Sequence, residues 1–88
     1  MDFFLFSYPN CPDCEKLKSY LSETHLDWQE YSLVQKESKI KIRDFLADIK
    51  RDDSGAIIIP TLIVLENKIL TAVLNSQKEL DDWLKSRA

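Results

Sequence analysis

Residues 3–7 form a short, continuous apolar run closed by Tyr8-Pro9-Asn10, which predicts a buried central strand. From Pro12 the period changes. Cys14, Leu17, Tyr20 and Leu21 recur at helical spacing, with Glu15, Lys16, Lys18, Ser19 and Ser22 opposite them. This predicts an amphipathic helix that begins at Pro12 and ends near residues 23–25. Pro12 suits the first turn, where its missing N–H would be unpaired anyway. Trp28, Tyr31 and Leu33 among polar neighbours predict a second strand over about residues 27–32. Ile42, Phe45, Leu46 and Ile49 then mark a helix over about residues 36–50, closed by the turn cluster at residues 51–55.

Ile57-Ile58-Ile59 leads into Pro60, and residues 61–65 are strongly β-prone. Glu66-Asn67 is the expected two-residue hairpin turn, with a fourth strand over residues 68–74. Asn75 or Ser76 caps a last helix whose buried face is Leu80, Trp83 and Leu84. The order is β-α-β-α-β-β-α. Strands one and two, joined by a helix, are expected to be parallel with a right-handed crossover, and the last two antiparallel. The expected architecture is α/β: a mixed four-stranded sheet with helices on both faces, built as a single domain over residues 1–88.

Composition narrows the function. The chain is 44% hydrophobic and 31% charged, as in a globular domain, with a formal net charge of −3. Mild acidity gives no drive toward nucleic acid or anionic membrane, so neither is an expected partner. No apolar run is long enough to span a bilayer, and the first residues lack a basic leader. Two cysteines make neither a multi-bridge scaffold nor a four-ligand structural zinc site. A cytoplasmic, reducing location is expected, and there a nearby cysteine pair is catalytic or metal-binding more often than structural.

The chemistry-bearing element is Cys11-Pro12-Asp13-Cys14, placed between a buried strand and a helix. Cysteines three apart at a helix start lie one turn from each other, within disulfide reach. The loop that they close is very small, so the bond adds little to stability and opens with little rearrangement. Cys11 falls at the N-cap, where unpaired N–H groups and the positive end of the helix dipole favour a thiolate. It is the expected attacking thiol, with a pKa below that of free cysteine. Asp13 opposes that shift by like-charge repulsion, and Lys16 offsets Asp13. Cys14, on the core-facing stripe, is the expected buried, resolving thiol.

Pro60 is the second signal. A proline at the first position of a strand can adopt a cis bond. Together with the Cys-Pro-Asp-Cys turn the pattern resembles the thioredoxin superfamily. There a cis-Pro loop faces the active-site disulfide and the backbone before the proline pairs with substrate. The resemblance assigns that pairing to Ile59 and places Pro60 beside Cys11. Residues 6–14, with Pro12 after the first cysteine, resemble a glutaredoxin in particular, and the resemblance covers essentially the whole chain.

It implies a thioredoxin-like fold of glutaredoxin type and a monomeric thiol-disulfide oxidoreductase with no bound cofactor. Its implied partners are protein or small-molecule disulfides, and glutathione or a flavin-dependent reductase as electron donor. Tyr8 stands where many glutaredoxins carry the lysine that contacts a glutathione carboxylate, and Asp13 where they carry Tyr or Phe. Their glutathione-binding Gly-Gly pair has no counterpart in residues 70–76.

The remaining residues read mostly as packing and surface. Tyr8 is a candidate for stacking on substrate or for shielding the strand end. His25, the only histidine, has too few co-ligands for a metal site. Trp28 and Trp83 are expected to pack. Lys36, Lys39, Lys41, Arg43, Lys50 and Arg51, interleaved with Glu37, Asp44, Asp48 and Asp52, make a solvated face. Two other functions stay open at this stage. One is a binding module in which two chains share a zinc or iron–sulfur centre. The other is a thioredoxin-fold interaction domain with redox-inactive cysteines.

Overall fold

The computed structural model describes residues 1–87. Strand β1 (Asp2–Ser7) leads into helix α1 (Pro12–Glu23), then strand β2 (Trp28–Ser32) and helix α2 (Lys36–Ile42). Strands β3 (Thr61–Glu66) and β4 (Ile69–Leu74) form a hairpin before helix α3 (Gln77–Ser86). The strands lie in the order β2-β1-β3-β4. β1 is parallel to β2 and antiparallel to β3, and β3 is antiparallel to β4, as the connections require.

The period of two along the central strands divides the core into two layers. Phe3, Leu5, Leu62 and Val64 point to one face and pack with Leu17 and Leu21 of α1 and Leu80 of α3. Phe6 and Ile63 point to the other and pack with Ile42, Phe45 and Ile49. Helices therefore cover both faces. The edge-to-face contact between Phe3 and Trp83, centroids 6.1 Å apart, anchors α3.

Two boundaries depart from the sequence reading. The second helix does not run over residues 36–50. It leaves α geometry at Ile42 and tightens into a 3₁₀ turn (Arg43–Phe45). At three residues per turn, Ile42 and Phe45 stack directly above one another. Leu46, expected on the buried stripe, is thereby rotated outward and is 39% exposed. The hairpin turn sits one residue later than expected. Glu66 pairs with Ile69, so Asn67 and Lys68 form the turn, both left-handed at φ 53° and 65°. That matches the twist of the flanking strands without a glycine. Lys68 is thus turn, not strand. At α3 it is Ser76 that caps, its hydroxyl accepting the Glu79 N–H at 3.1 Å.

The register places the site. Phe6 of β1 pairs with Thr61 of β3, and Leu62 pairs with Leu74 of β4. The chain leaving β1 toward Cys11, the chain reaching β3 through Pro60 and the chain leaving β4 at Asn75 therefore meet at one end of the sheet.

Candidate active site

Asn10 takes a left-handed conformation, φ 57°, which a short polar side chain tolerates, and turns the chain from β1 into α1. Cys11 follows as the N-cap in extended geometry, and Pro12 opens the helix. The Cys14 N–H donates to Cys11 Sγ at 3.1 Å, so the sulfur does what a capping oxygen usually does. Cys11 and Cys14 are joined in a disulfide with Cα atoms 5.2 Å apart. The two sulfurs differ in access. Cys11 is partly exposed, and Cys14 is 0% exposed on the stripe that continues through Leu17 and Leu21. Tyr8, Pro12 and Asp13 are exposed around the pair.

The charged groups of α1 are arranged differently from the sequence expectation. Lys16, expected to offset Asp13, forms no ion pair among the described residues. Lys18 is the paired cation: its ammonium lies 2.7 Å from Glu15 and 3.2 Å from Glu30. The hydrogen bond to Glu15, then that to Glu30, holds the Lys18 ammonium above its ordinary pKa against partial burial. Glu30 also accepts from the hydroxyl of Ser7, which is buried, at 2.7 Å. A polar chain thus ties the last residue of β1 to β2 and to the helix that carries the cysteines.

The Ile59-Pro60 bond is cis. Pro60 is buried and Ile59 partly exposed. Asn75 is a residue of this region that the sequence reading treated only as a candidate cap. Its amide Nδ2 donates to Pro60 O at 2.9 Å, to Ile58 O at 3.3 Å and to Thr61 Oγ1 at 3.2 Å. Thr61 Oγ1 in turn donates to Ile58 O at 2.6 Å. Among the described residues Asn75 Oδ1 is buried without a partner. Turning the amide over would aim that oxygen at two carbonyls, so its orientation is fixed. The Asn75 N–H donates to Glu79 Oε1 at 3.2 Å, and the same oxygen lies 3.0 Å from Lys50 Nζ. Ile58 N donates to Lys50 O at 3.2 Å. An asparagine between a strand end and a helix cap, downstream of a Pro-led strand, is the only sequence signal of this clamp.

Two shallow clefts of about 340 and 330 Å³ lie elsewhere, at the start of β1 and β2 and between α1 and the start of α3. Neither is lined by a cysteine. Among the described residues no group of three or more His, Cys, Asp and Glu side chains could hold a metal ion. Among the described residues no helix is long and apolar enough to cross a membrane.

A Cys-X-X-Cys disulfide between a strand and a helix, with a cis-proline leading the neighbouring strand of a mixed sheet, defines a thioredoxin-like protein. Solved structures bear out the fold. A crystal structure of a point mutant of the thioredoxin-like protein BC3987 matches with TM-score 0.61 at 16% identity, over 93% of this chain and 97% of that one. A malarial protein matches with TM-score 0.64 at 20% identity, over 97% and 93%. Thioredoxin 1 from the thermophilic eubacterium Thermosipho africanus matches with TM-score 0.58 at 12% identity, over 99% and 98%. No curated protein sequence matches significantly. The sequence model of the glutaredoxin family matches residues 3–69, and the chain belongs to that family. Family and cysteine pair together support a thiol-oxidoreductase-like role.

Proposed function

We propose that this protein is a thiol-disulfide oxidoreductase that cycles Cys11 and Cys14 between dithiol and disulfide. The observation that carries the reading is the asymmetry of the pair: Cys11 partly exposed at the N-cap, Cys14 fully buried one turn on. The Cys11 thiolate attacks one sulfur of a substrate disulfide. A Cys11–substrate bond forms, the substrate S–S bond breaks, and the leaving thiolate takes up a proton. The Cys14 thiolate then attacks Cys11 Sγ, breaks the mixed disulfide and releases the second substrate thiol. Two electrons and two protons pass from the protein to the substrate, and the Cys11–Cys14 bond is left behind. We assign substrate contact beside the attacking sulfur to Tyr8, Pro12, Ile59 and Pro60.

A dithiol donor or a flavin-dependent disulfide reductase returns the pair to the thiol state. This donor fits better than glutathione because the first turn of α3 is already occupied by the chain's own groups. Ser76 caps it, and the Glu79 carboxylate there is already engaged by the Asn75 N–H and the Lys50 ammonium. The test compares disulfide reduction driven by NADPH and thioredoxin reductase with that driven by glutathione and glutathione reductase. Turnover with the first system and little with the second supports the reading. Turnover with neither, nor with dithiothreitol, overturns the oxidoreductase function. Faster turnover with glutathione overturns the donor assignment.

A further inference from the structure

We propose that Asn75 is the positioning residue of the loop that holds substrate: it engages the carbonyls on either side of Ile59 and leaves Ile59's own N–H and C=O free for an extended polypeptide. The inference rests on the oxidoreductase reading above and adds to it the residue that positions the substrate-pairing loop. Asn75 Nδ2 reaches Ile58 O and Pro60 O, the carbonyls flanking Ile59. Ile58 N is taken by Lys50 O. Pro60 has no N–H. Among the described residues the backbone of Ile59 has no hydrogen-bond partner, and the residue is only partly buried. The loop thus has its neighbouring backbone groups satisfied and one N–H and C=O pair left over. An unpaired backbone pair beside a strand end is the fitting for one more strand.

Asn75 suits this task because its own position is determined twice. Its side chain meets three acceptors, and its backbone N–H is held by Glu79, which also meets Lys50. The end of β4, the start of α3 and the loop before β3 are locked through one amide. Cys11 is the partly exposed sulfur of the pair and can be reached by a chain lying across it. A small disulfide without amide groups gains nothing from Ile59.

The test uses a linear peptide whose single cysteine carries thionitrobenzoate, and bis(2-hydroxyethyl) disulfide as the substrate without amides. The reduced protein attacks the peptide's sulfur, thionitrobenzoate leaves as the coloured thiolate, and Cys14 then frees the peptide thiol. Asn75→Ala is expected to raise KM for the peptide about tenfold more than it affects the hydroxyethyl substrate, with kcat for the peptide largely retained. Asn75→Asp, the same size but with no donor, is expected to follow Ala. N-methylation of the amides flanking the peptide's cysteine is expected to raise KM about tenfold in wild type but no more than about twofold in Asn75→Ala. Thr61→Val, which removes one of the three acceptors, gives an intermediate KM and serves if the Asn75 variants do not fold. Unchanged KM in the Asn75 variants, equal losses with both substrates, or an equal cost of N-methylation in wild type and variant overturns the role of Asn75 and leaves the oxidoreductase reading standing. Wild-type protein that reduces neither substrate overturns both.

Discussion

The backbone N–H of Cys14 donates to the sulfur of Cys11 at 3.1 Å, so the partly exposed sulfur is also the acceptor that caps its helix. In the reduced protein the same N–H stabilises a Cys11 thiolate. Iodoacetamide near neutral pH should therefore label Cys11 first, and Cys14, 0% exposed, only on unfolding or prolonged reaction. Cys11→Ser should abolish turnover, and Cys14→Ser should accumulate the mixed disulfide, read by intact mass. Faster labelling of Cys14 would reverse the two roles.

Acid should loosen the α1–α3 contact. The Lys85 ammonium, then the Tyr20 hydroxyl, hold the Asp81 carboxylate below its ordinary value of 3.8. Tyr20 donates to Asp81 at 2.9 Å across the helix pair. A carboxyl with a lowered folded pKa stabilises fully above its unfolded value, and that contribution is lost as pH falls through the folded value. Urea midpoints should drop more steeply below pH 3.8 in wild type than in Asp81→Asn. Part of the slope should persist in the variant, because Ser54 and the Ala56 N–H hold Asp52 down in the same way.

Leu80 is fully buried and joins α3 to the layer formed by Leu17, Leu21 and Leu62. Leu80→Ala should cost about 2–5 kcal/mol in chemical denaturation, the range for a buried leucine whose cavity collapses incompletely. The exposed Ile69 on β4, 69% accessible, is the control. Ile69→Thr should change stability by no more than about 0.5 kcal/mol.

Lys68 holds φ at 65° beside Asn67 in the hairpin turn. A side chain with a Cβ pays about 1 kcal/mol there. Lys68→Gly, which completes an Asn-Gly turn, should raise the midpoint of unfolding by a comparable amount. A lower midpoint would mean that the flexibility glycine adds to the unfolded chain outweighs the relieved backbone.

Much of this fold is legible along the chain because its layers are periodic. Phe3, Leu5, Leu62 and Val64 alternate across two strands, and Cys14, Leu17 and Leu21 share one helical stripe. The turn from strand to helix at Cys11 follows from the same change of period. What escapes the sequence is local geometry and distant polar pairing. The tightening after Ile42 that expels Leu46 leaves Ile42, Phe45 and Ile49 at spacings that suit a longer helix equally well. The hairpin slips by one residue because no glycine marks it. The Ser7–Glu30–Lys18 chain and the Asn75 clamp join residues far apart in sequence. No repeat or spacing announces such pairs, since each depends on a register that only the assembled sheet defines.

Strand β3 is inserted next to β1 from the far half of the chain. During synthesis both cysteines are made before Pro60 and Asn75. A nascent chain at that stage has both cysteines but lacks the proline loop and the strand that pairs with β1 in the folded protein. The surroundings of the cysteine pair are therefore complete only when the hairpin closes beside β1.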